Sequence, residues 1–227
     1  MGEVYMITTV VFDLDGTLLD TLEDLTDSVN YAIGKFGMPE RTIDEIRSFV
    51  GNGIAKLIER VIQEGAENPH YEEILKTFRA YYALHCKDKT KPYDGILKML
   101  DQLEEEGYQM AVVSNKFDAA VKELCGLYFG KRIKTAVGES GKVRKKPAPD
   151  AVYQVLEDLS VSAQHAVYVG DSDVDLATAR NVPMTCISVT WGFRSREQLL
   201  AAGADEQRMI TDPAQLPALL RTISQES

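Results

Sequence analysis

A chain of 227 residues, 44% hydrophobic and 26% charged, has the length and apolar content for one large domain or for a domain carrying a smaller insert. Its formal net charge of −10 and pI near 4.9 disfavour nucleic acid and anionic membranes as main partners, although a metal or a few lysines can reverse the field at a site. No apolar run approaches a membrane span, and the opening MGEVYM lacks the basic start and apolar core of a signal peptide. Met6 also stands where a myristoylation motif needs Ser or Thr.

The first apolar run predicts a strand over 6–13, ending in Asp13-Leu14-Asp15-Gly16-Thr17. In extended backbone, side chains repeat every two residues, so Asp13 and Asp15 point the same way. Two such carboxylates repel by about 4 kcal/mol at 4 Å and an effective dielectric near 20. A lone Asp-x-Asp is often a solvated turn. The alternatives are a cation site, a shared proton, or a division into acid and base.

From Asp20 the pattern turns helical, with Leu22, Leu25, Val29, Ile33 and Phe36 on one face, and Gly37-Met38-Pro39 ends it. Thr42 to Glu45 reads as a capping box for a second helix, which Gly51-Asn52-Gly53 breaks. Leu57, Ile58, Val61 and Ile62 carry a third, and a fourth starts near Pro69 and includes Phe78 and Tyr82. Residues 87–92 are polar, end in proline and read as a linker.

Beyond it strands and helices alternate. The pattern predicts a helix over 94–106, a strand over 109–113 stopping at Ser114-Asn115, a helix over 119–125 and a strand over 133–137. A helix opening at Pro149-Asp150, a strand over 166–169 closing on Gly170-Asp171, a helix to Asn181 and a strand over 184–189 follow. Ser195 caps another helix, Met209-Ile210 is a last short strand, and Asp212-Pro213 starts the final helix. The expected fold class is α/β, a doubly wound parallel sheet with an inserted α-helical domain. The expected division is a Rossmann-like core over 1–19 and 92–227, with residues 20–91 as the helical insert. Cys86, Cys125 and Cys186 are odd in number and scattered, which points to buried reduced thiols in a cytoplasmic protein.

Ligands of an open parallel sheet bind outside the carboxyl ends of its strands. Asp13 and Asp15, Ser114 and Asn115, and Asp171 with Asp175 all sit just past such ends, and Lys146-Pro147-Ala148-Pro149 precedes a helix that can face the same rim. Each element alone is weak: Ser-Asn is commonly a turn, and Lys146 lies in a basic run normally solvated. Gathered together, the carboxylates need a cation. Oxygen ligands without His or Cys suit Mg²⁺, and a hydroxyl, an amide and an ammonium suit the oxygens of a phosphate.

These four motifs, in this order, resemble those of the haloacid dehalogenase superfamily, and the helical insert is similar to its cap domain. Val189 to Phe193 and Ala202 to Asp205 resemble the C-terminal region of its phosphoglycolate phosphatases. The resemblance implies Asp13 as nucleophile, forming an aspartyl-phosphate, and Asp15 as the acid and base. It implies Mg²⁺ held by Asp13, the main-chain carbonyl of Asp15 and Asp171, with Asp175 either a further ligand or just behind the ligands. Ser114, Lys146 and groups at Gly16, Thr17 and Asn115 would hold the phosphoryl oxygens. Lys145 is a weaker substitute for Lys146, since only Lys146 directly precedes Pro147. The expected substrate is a small phosphorylated metabolite, and oligomeric state stays open. A β-phosphoglucomutase-type mutase would use the same Asp pair, and a pyrophosphatase resembling this group is a further alternative. A phospho-receiver domain is the non-enzyme alternative, disfavoured by the helical insert and by Lys146 preceding the Asp171 strand.

Overall fold

The computed structural model describes residues 6–226. The lipidation reading at Met1-Gly2 and the start of the 1–19 segment therefore lie outside the described residues.

The first strand, β1 (Thr9–Phe12), is followed by a two-residue strand, β2 (Leu19–Asp20). Four helices come next: α1 (Leu22–Gly34), α2 (Ile43–Phe49), α3 (Ile54–Val61) and α4 (Tyr71–His85). The short β3 (Lys91–Pro92) pairs antiparallel with β2, so the two passages into and out of the helical layer lie side by side. Then come α5 (Ile96–Glu105), β4 (Gln109–Phe117), α6 (Asp118–Tyr128), β5 (Thr135–Glu139) and α7 (Asp150–Asp158). The chain closes with β6 (Ala166–Gly170), α8 (Asp173–Asn181), β7 (Thr185–Val189), α9 (Arg196–Ala201), β8 (Met209–Ile210) and α10 (Leu216–Glu226).

Six strands form one parallel sheet in the order β5-β4-β1-β6-β7-β8. Chain order reverses around β1, which lies between β4 and β6, and that is the switch point where such sheets bind ligands. Because β1 is covered on both faces, its alternate residues serve two cores. Val10 and Phe12 join Leu100, Leu103 and Leu220 on one side; Val11 joins Val152, Val155 and Ala179 on the other. The helical layer has its own core, in which Val29, Ile33, Ile46, Ile58 and Phe78 are buried and Phe193 reaches in from the sheet layer. Burying each such side chain stabilises by about 1.5–3 kcal/mol. Asp24 of α1, itself buried, accepts the amides of Lys89 and Thr90 and fastens the returning strand.

The structure moves several expected boundaries. β1 begins at Thr9 because Met6 is 65% exposed and outside the ladder. β4 does not stop at Ser114-Asn115 but runs to Phe117 through a register irregularity after Val113. The expected linker contains β3, and the 133–137 strand is displaced to 135–139 behind a tight turn at Gly130–Arg132. Cys86 and Cys125 are buried and free, whereas Cys186 is only half-buried. No described helix is long and apolar enough to cross a membrane.

Candidate active site

Asp13 follows β1 directly, and its amide still bonds the Val169 carbonyl of the neighbouring strand. Asp171 follows β6 in the same way, and Asp175 lies one turn into α8. Ser172 caps α8 by accepting from the Asp175 amide, while the Asp175 carboxylate accepts from the Ser172 hydroxyl and amide. The cap turns that carboxylate back toward the strand ends. One oxygen from each of Asp13, Asp171 and Asp175 then lies within 4.8 Å of the others, all three residues buried.

One ammonium enters this cluster. Lys146 Nζ is 2.8 Å from Asp13 Oδ1, 2.8 Å from Asp175 Oδ1 and 3.0 Å from the Tyr168 hydroxyl. Burial alone would drive the lysine toward neutrality, but Asp13 and Asp175 outweigh it and hold its pKa well above the ordinary value. One positive charge does not neutralise three carboxylates. Burial, then the charge of Asp175, push the Asp13 carboxyl well up, and the same two causes raise Asp171 to about 7. Asp171 is meanwhile held in place by the Phe193 amide at 2.7 Å and the Thr17 hydroxyl at 3.2 Å. Fixed, buried, under-neutralised carboxylate oxygens are the donor set that fits a hard divalent cation.

The remaining expected residues fall around this centre with distinct partners. The Gly16 amide donates to the Leu19 carbonyl, so that group is engaged within the loop. Gly16 has φ +86°, and a Cβ there would lie 2.4 Å from Asp171 Oδ2, so only glycine allows this close approach. The Asn115 side chain accepts from the Lys146 amide at 2.8 Å and donates to the carbonyls of Lys146 and Gly51. It thereby ties the lysine loop to the helical layer. Ser114 is buried beside them and accepts from the Lys116 amide. Lys145 pairs with Glu139 instead of entering the acidic cluster. The Asp15 carboxylate is not part of that cluster either; it meets Lys116 Nζ at 2.9 Å.

A family model described as haloacid dehalogenase-like hydrolase matches residues 10–189. The chain belongs to that family. It is 31% identical over 191 residues to a phosphoglycolate phosphatase of Pseudomonas savastanoi pv. phaseolicola, covering 81% of this chain and 70% of that protein. It is 30% identical over 189 residues to that of Aquifex aeolicus, covering 81% and 85%. A solved structure from Lactobacillus delbrueckii subsp. bulgaricus, with a provisional phosphoglycolate phosphatase assignment, superposes with a TM-score of 0.90 at 34% identity, covering 95% and 98%. CbbY from Rhodobacter sphaeroides, solved in complex with phosphate, superposes at 0.76 with 26% identity, covering 93% and 96%.

In this hydrolase, three site residues escaped the sequence reading. Lys116 follows Ser114-Asn115 directly, and the period-two rule would have put it on the face of Ser114. Tyr82 was legible only as an apolar helix position, yet its hydroxyl is bonded by Lys116. Arg194 lines the same cavity and donates to the carbonyls of Arg47 and Val50, at the end of α2. That position carries no motif signal.

Proposed function

We propose that this chain is a Mg²⁺-dependent phosphatase that hydrolyses a small phosphate monoester of the phosphoglycolate kind through an aspartyl-phosphate. The observation that carries the proposal is the convergence of Asp13, Asp171 and Asp175 with Lys146 between two of them, beneath a cavity that the helical layer closes. The names of the relatives support the substrate class. Asp13, Asp171 and Asp175, with the Asp15 main-chain carbonyl, would hold Mg²⁺, whose charge lets an anionic carboxylate approach an anionic phosphate.

Asp13 attacks phosphorus, and the bond from phosphorus to the leaving oxygen breaks. Asp15 gives that oxygen its proton, then takes one from the water that hydrolyses the phosphoenzyme. Lys146, held between Asp13 and Asp175, offsets the phosphoryl charge as it shifts, and Ser114 donates to one of the phosphoryl oxygens. The helical layer, residues 20–91, acts as a cap over the core of 1–19 and 92–227. Its Val50, Gly51, Gly53, Ile54 and Leu57 line the cavity and exclude water. Free thiols at all three cysteines support a cytoplasmic setting.

The test is phosphate release with Mg²⁺ from a panel holding 2-phosphoglycolate, pyrophosphate and hexose phosphates. Turnover of 2-phosphoglycolate well above the others is the expected result. No release from any of them would overturn the proposal, and phosphorylation without turnover would restore the receiver reading.

A further inference from the structure

Lys146 and Arg194 have evident tasks, but the third cation lining the cavity does not. Lys146 uses its three ammonium donors on Asp13, Asp175 and Tyr168, and Arg194 grips the end of α2. Lys116 Nζ contacts Asp15 and the Tyr82 hydroxyl and lies 4.6 Å from the centre of the Tyr82 ring. Its side chain is 2% exposed. An ammonium has three donors, and those two contacts account for two of them. Burying a cation is costly unless its partners justify it. Here it stands beside Asp15, the group that meets the leaving oxygen.

Much of the cavity's lining is apolar: Leu25, Val50, Ile54, Leu57 and Phe193. Such walls cannot satisfy the hydroxyls of a sugar. Against those walls stands the Lys116 ammonium, held by an aromatic ring from the helical layer.

We propose that Lys116, seated on Tyr82, is the specificity-determining residue that binds a carboxylate on the leaving alcohol. This inference rests on the phosphatase reading given above. The substrate carboxylate accepts the third ammonium donor, and Tyr82 presents that donor to it. A leaving group of the same length without the negative end leaves the ammonium poorly satisfied, which is how a polar site rejects an analogue.

The experiment compares kcat/KM for 2-phosphoglycolate and ethyl phosphate, which differ only in carboxylate against methyl, for the wild-type protein with Mg²⁺ and for Lys116→Met and Lys116→Arg. Both variants lose the wild-type contact to Asp15, so the ratio of the two substrates, rather than either rate, is the readout. The ratio is expected to fall about 10–100-fold in Lys116→Met, the usual range for losing a hydrogen bond to a charged group. Lys116→Arg should recover part of it. Tyr82→Phe gives a second reading should Lys116→Met not fold, and should lower the ratio by a smaller factor. An unchanged ratio in the folded Lys116 variants, with both rates falling together, overturns the inference and assigns Lys116 to Asp15 alone. Wild-type protein that hydrolyses both substrates equally also overturns it while leaving the phosphatase standing. Protein that hydrolyses neither removes the phosphatase reading itself.

Discussion

Replacing Lys146 with methionine tests the centre of the site most directly, because the side chain keeps its approximate length and loses only its charge. The ammonium sits 2.8 Å from Asp13 and 2.8 Å from Asp175. At an effective dielectric near 20 each contact is worth about 6 kcal/mol of attraction before desolvation is subtracted. Removing one partner of a buried pair costs about 3–5 kcal/mol net, since the abandoned charges stay buried. For a chain of 227 residues that corresponds to a drop in melting temperature of about 6–20 °C. Cation binding to the carboxylates should recover part of the loss, so urea unfolding followed by circular dichroism in chelator and in Mg²⁺ should diverge more for Lys146→Met than for wild type. Phosphate release should fall about 10²–10³-fold, the usual effect of removing one group that stabilises developing charge. A Lys146→Met protein with wild-type stability in chelator would show that the ammonium does not balance these carboxylates, and unchanged turnover would remove it from the chemistry.

Asp13→Asn should abolish phosphate release while the circular dichroism spectrum stays native; turnover that persists after mass spectrometry excludes reversion to Asp would displace the nucleophile to another group. Gly16→Ala forces a side chain into φ +86° and 2.4 Å from Asp171 Oδ2. It should lose about 1–3 kcal/mol of stability and need at least about tenfold more Mg²⁺ for half-maximal rate, and a wild-type Mg²⁺ titration would contradict the packing described at that turn. The Asp171 carboxyl, raised to about 7 by burial and by Asp175, keeps its proton in the folded protein where the unfolded chain has already lost it. That contribution is complete below the unfolded value near 3.9 and disappears as pH rises through about 7. Metal-free protein should therefore lose stability between about pH 4 and pH 7, and Asp171→Asn should flatten the slope. A slope identical in the two proteins would refute the assignment.

Alternating apolar strands and amphipathic helices made the parallel sheet legible, and polar residues immediately past strand ends made Asp13, Asp171 and Asp175 legible as neighbours. The two-residue strands β2 and β3 were not, because two residues carry no period and their pairing depends on a return 71 positions later, from Leu19–Asp20 to Lys91–Pro92. For Asn115 the sequence offers a backbone amide to phosphate, but it carries no sign of the separate task of the side chain, which bridges the Lys146 loop and Gly51. That bridge joins three segments distant in sequence, and only the folded arrangement discloses it. Lys116 was hidden for a different reason. Read locally it continues a strand with ordinary alternation, whereas its partner Tyr82 belongs to a helix pattern that burial in the α1–α4 core explains fully.

Two consecutive residues after β7 face opposite duties. The Phe193 amide fixes Asp171, and the Arg194 guanidinium grips the final carbonyls of α2. With one peptide unit between them, α2 cannot withdraw from the sheet unless the guanidinium lets go or the amide is dragged off its carboxylate. Lifting the helical layer and loosening the Asp171 carboxylate are thus mechanically joined, and whatever steadies one steadies the other.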